Sequence, residues 1–251
     1  MVAAAKLHRH LGRKRAGRFL AEGPNLVEAA LRRDLVCEVF ATVSAVERFA
    51  DLLAGAPVTM VTDRAAKALS DTVTPVGLVA VCTPPEKSLV AVLAEAPRLL
   101  AVAVGMSEPG NAGTVIRTAD AMGADAVVFC GDSVDPYNGK CLRSSAGSAF
   151  NLDLVVDSAA AAVISAIRDS GIQVLATALD AAVDIRAVGL AAPTAWLFGP
   201  EAQGLGPDIA NMATHQVSIP MRGSAESLNV AAAAAICLYE SARAQSTTPV
   251  S

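Results

Sequence analysis

Five apolar runs of strand length, at 99–104, 126–130, 172–177, 195–199 and 215–219, alternate with stretches whose apolar residues repeat at helical spacing. No other feature narrows the fold so far. Parallel strands need helix-length crossovers, and strands apolar on both faces must be covered on both sides. The pattern therefore predicts an α/β chain with a mostly parallel sheet between helical layers. Within 112–122, Val115, Ile116, Ala119 and Met122 fall on one helical face; 159–170 predicts a further helix and 227–243 a long, alanine-rich closing one. Ligands of such sheets bind outside the carboxyl ends of the strands, so the polar, glycine-rich turns that follow the runs are the places to look for chemistry.

A smaller alternating unit precedes this one. Residues 24–33 read as a helix with Pro24 near its start, 35–41 as a strand, 45–53 as a helix and 58–61 as extended. Residues 63–69 read as a helix with Asp63 as its candidate cap, and 78–82 as extended. The adjacent Pro84 and Pro85 within 83–88 mark a linker. With 251 residues, 53% of them hydrophobic and 18% charged, the chain can bury the cores of one large or two smaller domains and lies far from the disordered class. Aromatic residues make up only 4%, which argues against recognition of bases on a broad stacking surface.

The longest apolar run, 230–239, has ten residues, against the roughly 20 that cross a bilayer. The start of the chain has no hydrophobic segment of the signal-peptide kind. Cys37, Cys82, Cys130, Cys141 and Cys237 are odd in number and widely spaced, which suggests neither a disulfide framework nor a metal site. These features predict a cytoplasmic protein without membrane or metal partners.

Charge is distributed unevenly. The first 20 residues carry Lys6, Arg9, Arg13, Lys14, Arg15 and Arg18 and no acid, leaving 14 basic against 24 acidic side chains elsewhere. A basic segment with His8 and His10 beside it suits a polyanion, since lysine and arginine displace the counterions condensed on phosphates. A solubilising, partly disordered tail has the same composition.

Neither a GxGxxG turn nor a P-loop follows any predicted strand, which disfavours a plain dinucleotide enzyme or NTPase. Three other segments place polar groups just past a strand end. The first, Ser107-Glu108-Pro109-Gly110-Asn111-Ala112-Gly113-Thr114-Val115-Ile116-Arg117, opens a helix. The second is Trp196-Leu197-Phe198-Gly199-Pro200-Glu201-Ala202-Gln203-Gly204-Leu205-Gly206. The third is Ile219-Pro220-Met221-Arg222-Gly223-Ser224-Ala225-Glu226-Ser227-Leu228-Asn229. Any one of them alone is also what an ordinary strand-to-helix turn looks like.

Together, in this order and spacing, they resemble the signature motifs of the SpoU/TrmH-type RNA ribose 2′-O-methyltransferases of the SPOUT superfamily. The resemblance covers residues 98–245, and 7–28 resembles the start of the small substrate-binding domain that many members carry. It implies a basic N-terminal segment and RNA substrate-binding domain at 1–83, a linker region at 84–97, a methyltransferase domain with a deep trefoil knot at 98–245, and a tail at 246–251. A knot is rare enough that no periodicity would have suggested it.

The resemblance further implies S-adenosylmethionine as cofactor, held around Leu197, Phe198, Gly199, Ile219 and Leu228 largely through backbone groups. Arg117 matches the catalytic arginine and Asn111 its associated asparagine, while Glu201, Ser227 and Asn229 match residues expected to hold the active-site loops. An ion pair with Asp120 is the alternative for Arg117, core packing for Ile219 and Leu228, and an N-cap of the closing helix for Ser227. Ala202 departs from the glycine common after the motif-two acid. RNA contacts are implied for Lys6, Arg9, Arg13, Lys14, Arg15, Arg18 and Arg143, and a homodimer as the working form. The substrate implied is 23S rRNA. Transfer RNA and a non-catalytic assembly role on the same fold stay open, as does a small-molecule enzyme with no affinity for RNA. Nothing in the residues separates housekeeping modification from antibiotic self-resistance.

Overall fold

Two sheets organise the chain, and the computed structural model describes residues 1–85, 87–200 and 203–246. The first sheet contains β1 (Phe19–Glu22), β2 (Val36–Ala41), β3 (Val58–Met60) and β4 (Leu78–Cys82) in the order β1-β4-β2-β3. Strand β4 runs antiparallel to β1 and β2, and β2 parallel to β3. Helix Pro24–Arg32 begins on its proline, as the sequence predicts. The helix expected at 45–53 is shorter, Val43–Arg48, and Thr42 caps it by accepting from the Ala45 amide. Asp63 is not a cap. Thr62 accepts from the Ala65 amide, and Asp63 lies in the first turn of Asp63–Ala68. Either type caps a helix well, so the choice falls to where the backbone turns extended, which is at Thr62.

The basic N-terminus is folded rather than a loose tail. Helix Val2–Ala5, the 3-10 turn Lys6–His8 and helix His10–Ala16 lead into β1, and Ala4 and Leu7 pack with Leu20, Phe40, Leu69, Val79 and Val81.

The second sheet has seven strands, all paired in parallel: β5 (Leu99–Val104), β6 (Ala126–Cys130), β7 (Asp153–Asp157), β8 (Gln173–Thr177), β9 (Val183–Asp184), β10 (Thr194–Phe198) and β11 (His215–Ser218). Their order is β7-β6-β5-β10-β8-β11-β9. Side chains alternate between two apolar layers. Leu99, Ala101, Ala103, Trp196 and Phe198 face the helices Pro109–Ala121 and Val230–Ser246. Leu100, Val102, Val104, Ala195 and Leu197 face Leu89–Ala94 and Ala160–Asp169. The parallel, doubly covered sheet expected from the apolar runs is therefore present. Helix Leu89–Ala94 lies within the stretch read as linker, capped by Ser88 and packed into the second layer through Leu89 and Val92.

The two sheets share one apolar layer, joined where Phe19 of β1 stacks on Tyr137 and Phe150 at centroid distances of 4.7 and 5.9 Å. Two arginines cross the same junction in opposite directions. Arg13 reaches Asp135 at 2.6 Å, and Arg143 pairs with Asp71 and lies 3.8 Å from Glu22.

Strand order reverses between β5 and β10, from which β6 and β7 continue on one side and β8 and β11 on the other. In open parallel sheets, that crevice at the carboxyl ends is where ligands bind.

Candidate functional site

All three polar segments leave strands at this one edge. Past β5, Gly105 adopts φ +64° while its amide donates to the Cys130 carbonyl at 3.0 Å. A side chain there would begin 3.5 Å from Pro200 Cγ, so the turn after β5 lies against the turn after β10. Helix Pro109–Ala121 follows, earlier than the predicted start at 112 because Glu108 caps it. Ala112, Gly113, Val115, Ile116 and Ala119 face inward, and the three-residue steps from Asn111 to Thr114 to Arg117 stay on the outer side. Arg117 is exposed and makes no ion pair or hydrogen bond among the described residues. The alternative of a pair with Asp120 is not realised; Asp120 accepts from Asn151 at 3.3 Å.

Past β10, the loop folds tightly on itself, with the Gly204 amide on the Pro200 carbonyl at 2.8 Å. A Cβ on Gly199 would meet the Gly204 carbonyl carbon and the Leu205 nitrogen at 2.7 Å, so only glycine fits. Leu197 and Phe198, read as cofactor-binding, have no exposed surface and fill opposite core layers. Their packing anchors the start of the loop. Glu201 and its neighbour Ala202 lie outside the described residues.

Past β11, Ile219 is half-buried and packs on the core, while 220–229 are exposed throughout, including Leu228. Asn229, and not Ser227, caps the closing helix. Its Oδ1 accepts from the amides of Ala231 at 2.9 Å and Ala232 at 3.4 Å. The helix starts at Val230 because Val230, Ala231 and Ala234 are the first residues to enter the core, which leaves Ser227 in the exposed loop. With Oδ1 taken by amides, the Asn229 NH2 group points outward and donates to Asn111 Oδ1 at 3.2 Å. That bond ties the first motif to the third.

The segments thus form an exposed, backbone-rich edge. Gly204, Gly206 and Gly223 each have open space on the side where a Cβ would stand. Loops of this kind suit an adenosyl group, read by backbone donors and acceptors and approached closely. Among the described residues no cluster of His, Cys, Asp and Glu could hold a metal ion, and no helix is long and apolar enough to cross a membrane.

The basic residues divide. Lys6, Arg9, Lys14, Arg15 and Arg18 are exposed. Arg13, read with them as an RNA contact, is only 6% exposed and donates to the Leu7 and His8 carbonyls as well as to Asp135. It is a structural arginine, turned inward by the side of its helix that meets the second domain. Arg143 is likewise engaged, by Asp71 and Glu22.

Glu108, within the first motif, and Lys140 form a pair that the sequence pattern does not single out. One Glu108 oxygen accepts from the amides of Gly110 and of Asn111, the latter at 3.3 Å, and the other from Lys140. Lys140, with help from the two amides, holds the Glu108 carboxyl below the usual glutamate range. An acid directly before Pro-Gly at the head of a helix was the available signal.

Residues 98–239 match the SpoU rRNA Methylase family, and residues 3–80 match the MRM3-like substrate binding domain. The chain is 35% identical over 234 residues to the 23S rRNA (guanosine(2553)-2′-O)-methyltransferase RlmP of Bacillus subtilis, covering 93% of this chain and 92% of that one. It resembles the crystal structure of the SpoU methyltransferase AviRb from Streptomyces viridochromogenes with the cofactor AdoMet, at TM-score 0.84 and 30% identity over 96% of both chains. The AdoMet-bound rRNA methyltransferase from Sinorhizobium meliloti superposes equally well, at TM-score 0.84 and 28% identity, over 96% of this chain and 93% of that one.

Proposed function

The chain belongs to the SpoU rRNA methylase family, and we propose that it transfers a methyl group from S-adenosylmethionine to a ribose 2′-hydroxyl of 23S rRNA. The observation that carries this reading is the meeting of the three motifs at one sheet edge, with Asn111 bonded to Asn229 and Arg117, on the same outer helix face as Asn111, without an ion pair or hydrogen bond among the described residues. S-adenosylmethionine supplies a methyl carried on a sulfonium, which an oxygen nucleophile displaces without a metal.

The chain's part is to bind and to position. The turn that Gly199 fixes past β10 and the exposed loop 220–229 past β11 would hold the cofactor, flanked by Ile219 and Leu228. The 2′-oxygen would bond to the methyl carbon as the carbon–sulfur bond breaks, leaving S-adenosylhomocysteine as a neutral thioether, and the hydroxyl proton would pass to solvent water. Arginine as a residue type remains protonated at neutral pH, so Arg117 acts by orienting the hydroxyl and stabilising the charge that develops on its oxygen. The exposed Lys6, Arg9, Lys14, Arg15 and Arg18 grip RNA phosphates, which fixes register without reading bases. Glu201 and Ser227 complete the set proposed from the motifs, and the trefoil knot belongs to the same proposal.

Ribosomal rather than transfer RNA is favoured by the folded N-terminal domain and by a relative of nearly the same length named for 23S rRNA. A homodimer is favoured by the apolar stripe of Ala232, Ile236 and Tyr239 on the closing helix, whose last two members are 36% and 53% exposed. Cytoplasmic location follows from the substrate. The test offers labelled S-adenosylmethionine with 23S rRNA, 16S rRNA, tRNA and 50S particles. Label in 23S rRNA, naked or in particles, is expected. Label confined to tRNA, or none despite RNA binding, contradicts the proposal.

A further inference from the structure

We propose that Glu108, held by Lys140, is a positioning residue for methyl transfer that acts through Asn111; this rests on the reading of the site above. The carboxylate lies where two active-site elements must be set against each other. One oxygen holds the amides of Gly110 and Asn111, and the other holds the Lys140 ammonium. Both ends of this link are fixed. Lys140 lies in the first turn of helix Gly139–Ser145, whose start is capped by Asn138 accepting from the Lys140 amide at 2.9 Å. That helix is pressed against Pro109–Ala121 at Gly113, where a Cβ would meet the Cys141 carbonyl oxygen at 2.3 Å and Ser144 Cβ at 2.5 Å. Gly110 leaves room for the carboxylate, since a Cβ there would lie 2.9 Å from Glu108 Oε2.

Asn111 is therefore held at its backbone by Glu108 and at its side chain by Asn229. The adjacent helix docks through Gly113 on one side of it and Lys140 on the other. Glu108 and Lys140 are 41% and 58% exposed, and an exposed pair of that kind adds little to folding stability. Its weight falls on geometry, to which transfer rates are steeply sensitive.

The test compares wild type, Glu108→Gln, Lys140→Ala, Lys140→Arg, Asn111→Ala and the double variant Glu108→Gln/Asn111→Ala. Each is assayed as the full chain with labelled S-adenosylmethionine and the RNA that wild type methylates, with Tm and cofactor affinity measured alongside. Glu108→Gln and Lys140→Ala are expected to lower kcat by roughly 10- to 100-fold, with KM for RNA and cofactor affinity nearly unchanged. Lys140→Arg is expected to restore turnover, and the double variant to be no slower than Asn111→Ala alone, because the two residues act as one unit. A wild-type kcat in Glu108→Gln overturns the inference. So does a loss confined to KM for RNA, or one that adds in full to that of Asn111→Ala. A wild type that transfers no methyl at all, with RNA and cofactor both bound, overturns the reading of the site and takes this inference with it.

Discussion

Asn229 does two jobs with the two ends of one amide, and each can be removed separately. Its oxygen caps the closing helix and its nitrogen reaches Asn111. Asn229→Ala is expected to lose both, at about 1 kcal/mol in stability and with a marked fall in turnover. Asn229→Asp keeps a good cap, favoured by the helix dipole, but sets a carboxylate oxygen against Asn111 Oδ1. Thermal unfolding should therefore leave Asn229→Asp near wild type while its turnover falls as far as that of the alanine variant. The polar residues past the strand ends were legible in the sequence, because their place follows from sheet topology. Which of Ser227 and Asn229 caps the helix was not, since both are capping types and the core entry at Val230 decides between them. Nor was the inward turn of Arg13, one of six similar basic residues until its partner Asp135, 122 residues away, is known.

At the scale of elements, close helix approach explains the glycine two residues after Asn111. Helices Pro109–Ala121 and Gly139–Ser145 meet at Gly113 with no space for a methyl group. Gly113→Ala is expected to push them apart, at a cost of about 1–3 kcal/mol measured by denaturant unfolding, and to lower turnover by displacing Asn111. The central strands β5, β6 and β10 were readable because they are buried on both faces and so are apolar, Thr194 at the start of β10 excepted. Strand β7 is an edge strand with acids at both ends and one exposed valine, and helix Gly139–Ser145 is short and polar in composition. Neither carries a periodicity long enough to register. The two-residue strand β9 is defined only by its pairing with β11.

Across the whole molecule, the N-terminal domain is fixed to the sheet that carries the site. The ion pairs Arg13–Asp135 and Arg143–Asp71 both cross the junction, and Arg13, Asp71 and Arg143 border one cavity together with Tyr137, the ring that Phe19 meets. Arg13→Ala leaves Asp135, at 15% exposure, without its counter-charge and is expected to cost about 3 kcal/mol. Alanine at Lys14, Arg15 and Arg18 together is expected to leave Tm unchanged. It should weaken RNA binding at low salt and flatten its salt dependence by about 0.7–0.9 for each RNA phosphate no longer neutralised. Two basic groups that composition cannot tell apart would then separate into one that holds the fold and one that holds RNA.

The most direct measurement is the fate of labelled methyl after incubation of wild type and Arg117→Ala with S-adenosylmethionine and the ribosomal substrate, followed by alkaline hydrolysis. The expected result is label retained in an alkali-resistant dinucleotide with wild type, since a methylated 2′-oxygen cannot attack the neighbouring phosphate. With Arg117→Ala, label should fall at least about 100-fold at unchanged cofactor binding. Label released as ordinary mononucleotides, or an Arg117→Ala variant as fast as wild type, would contradict ribose methylation at this site.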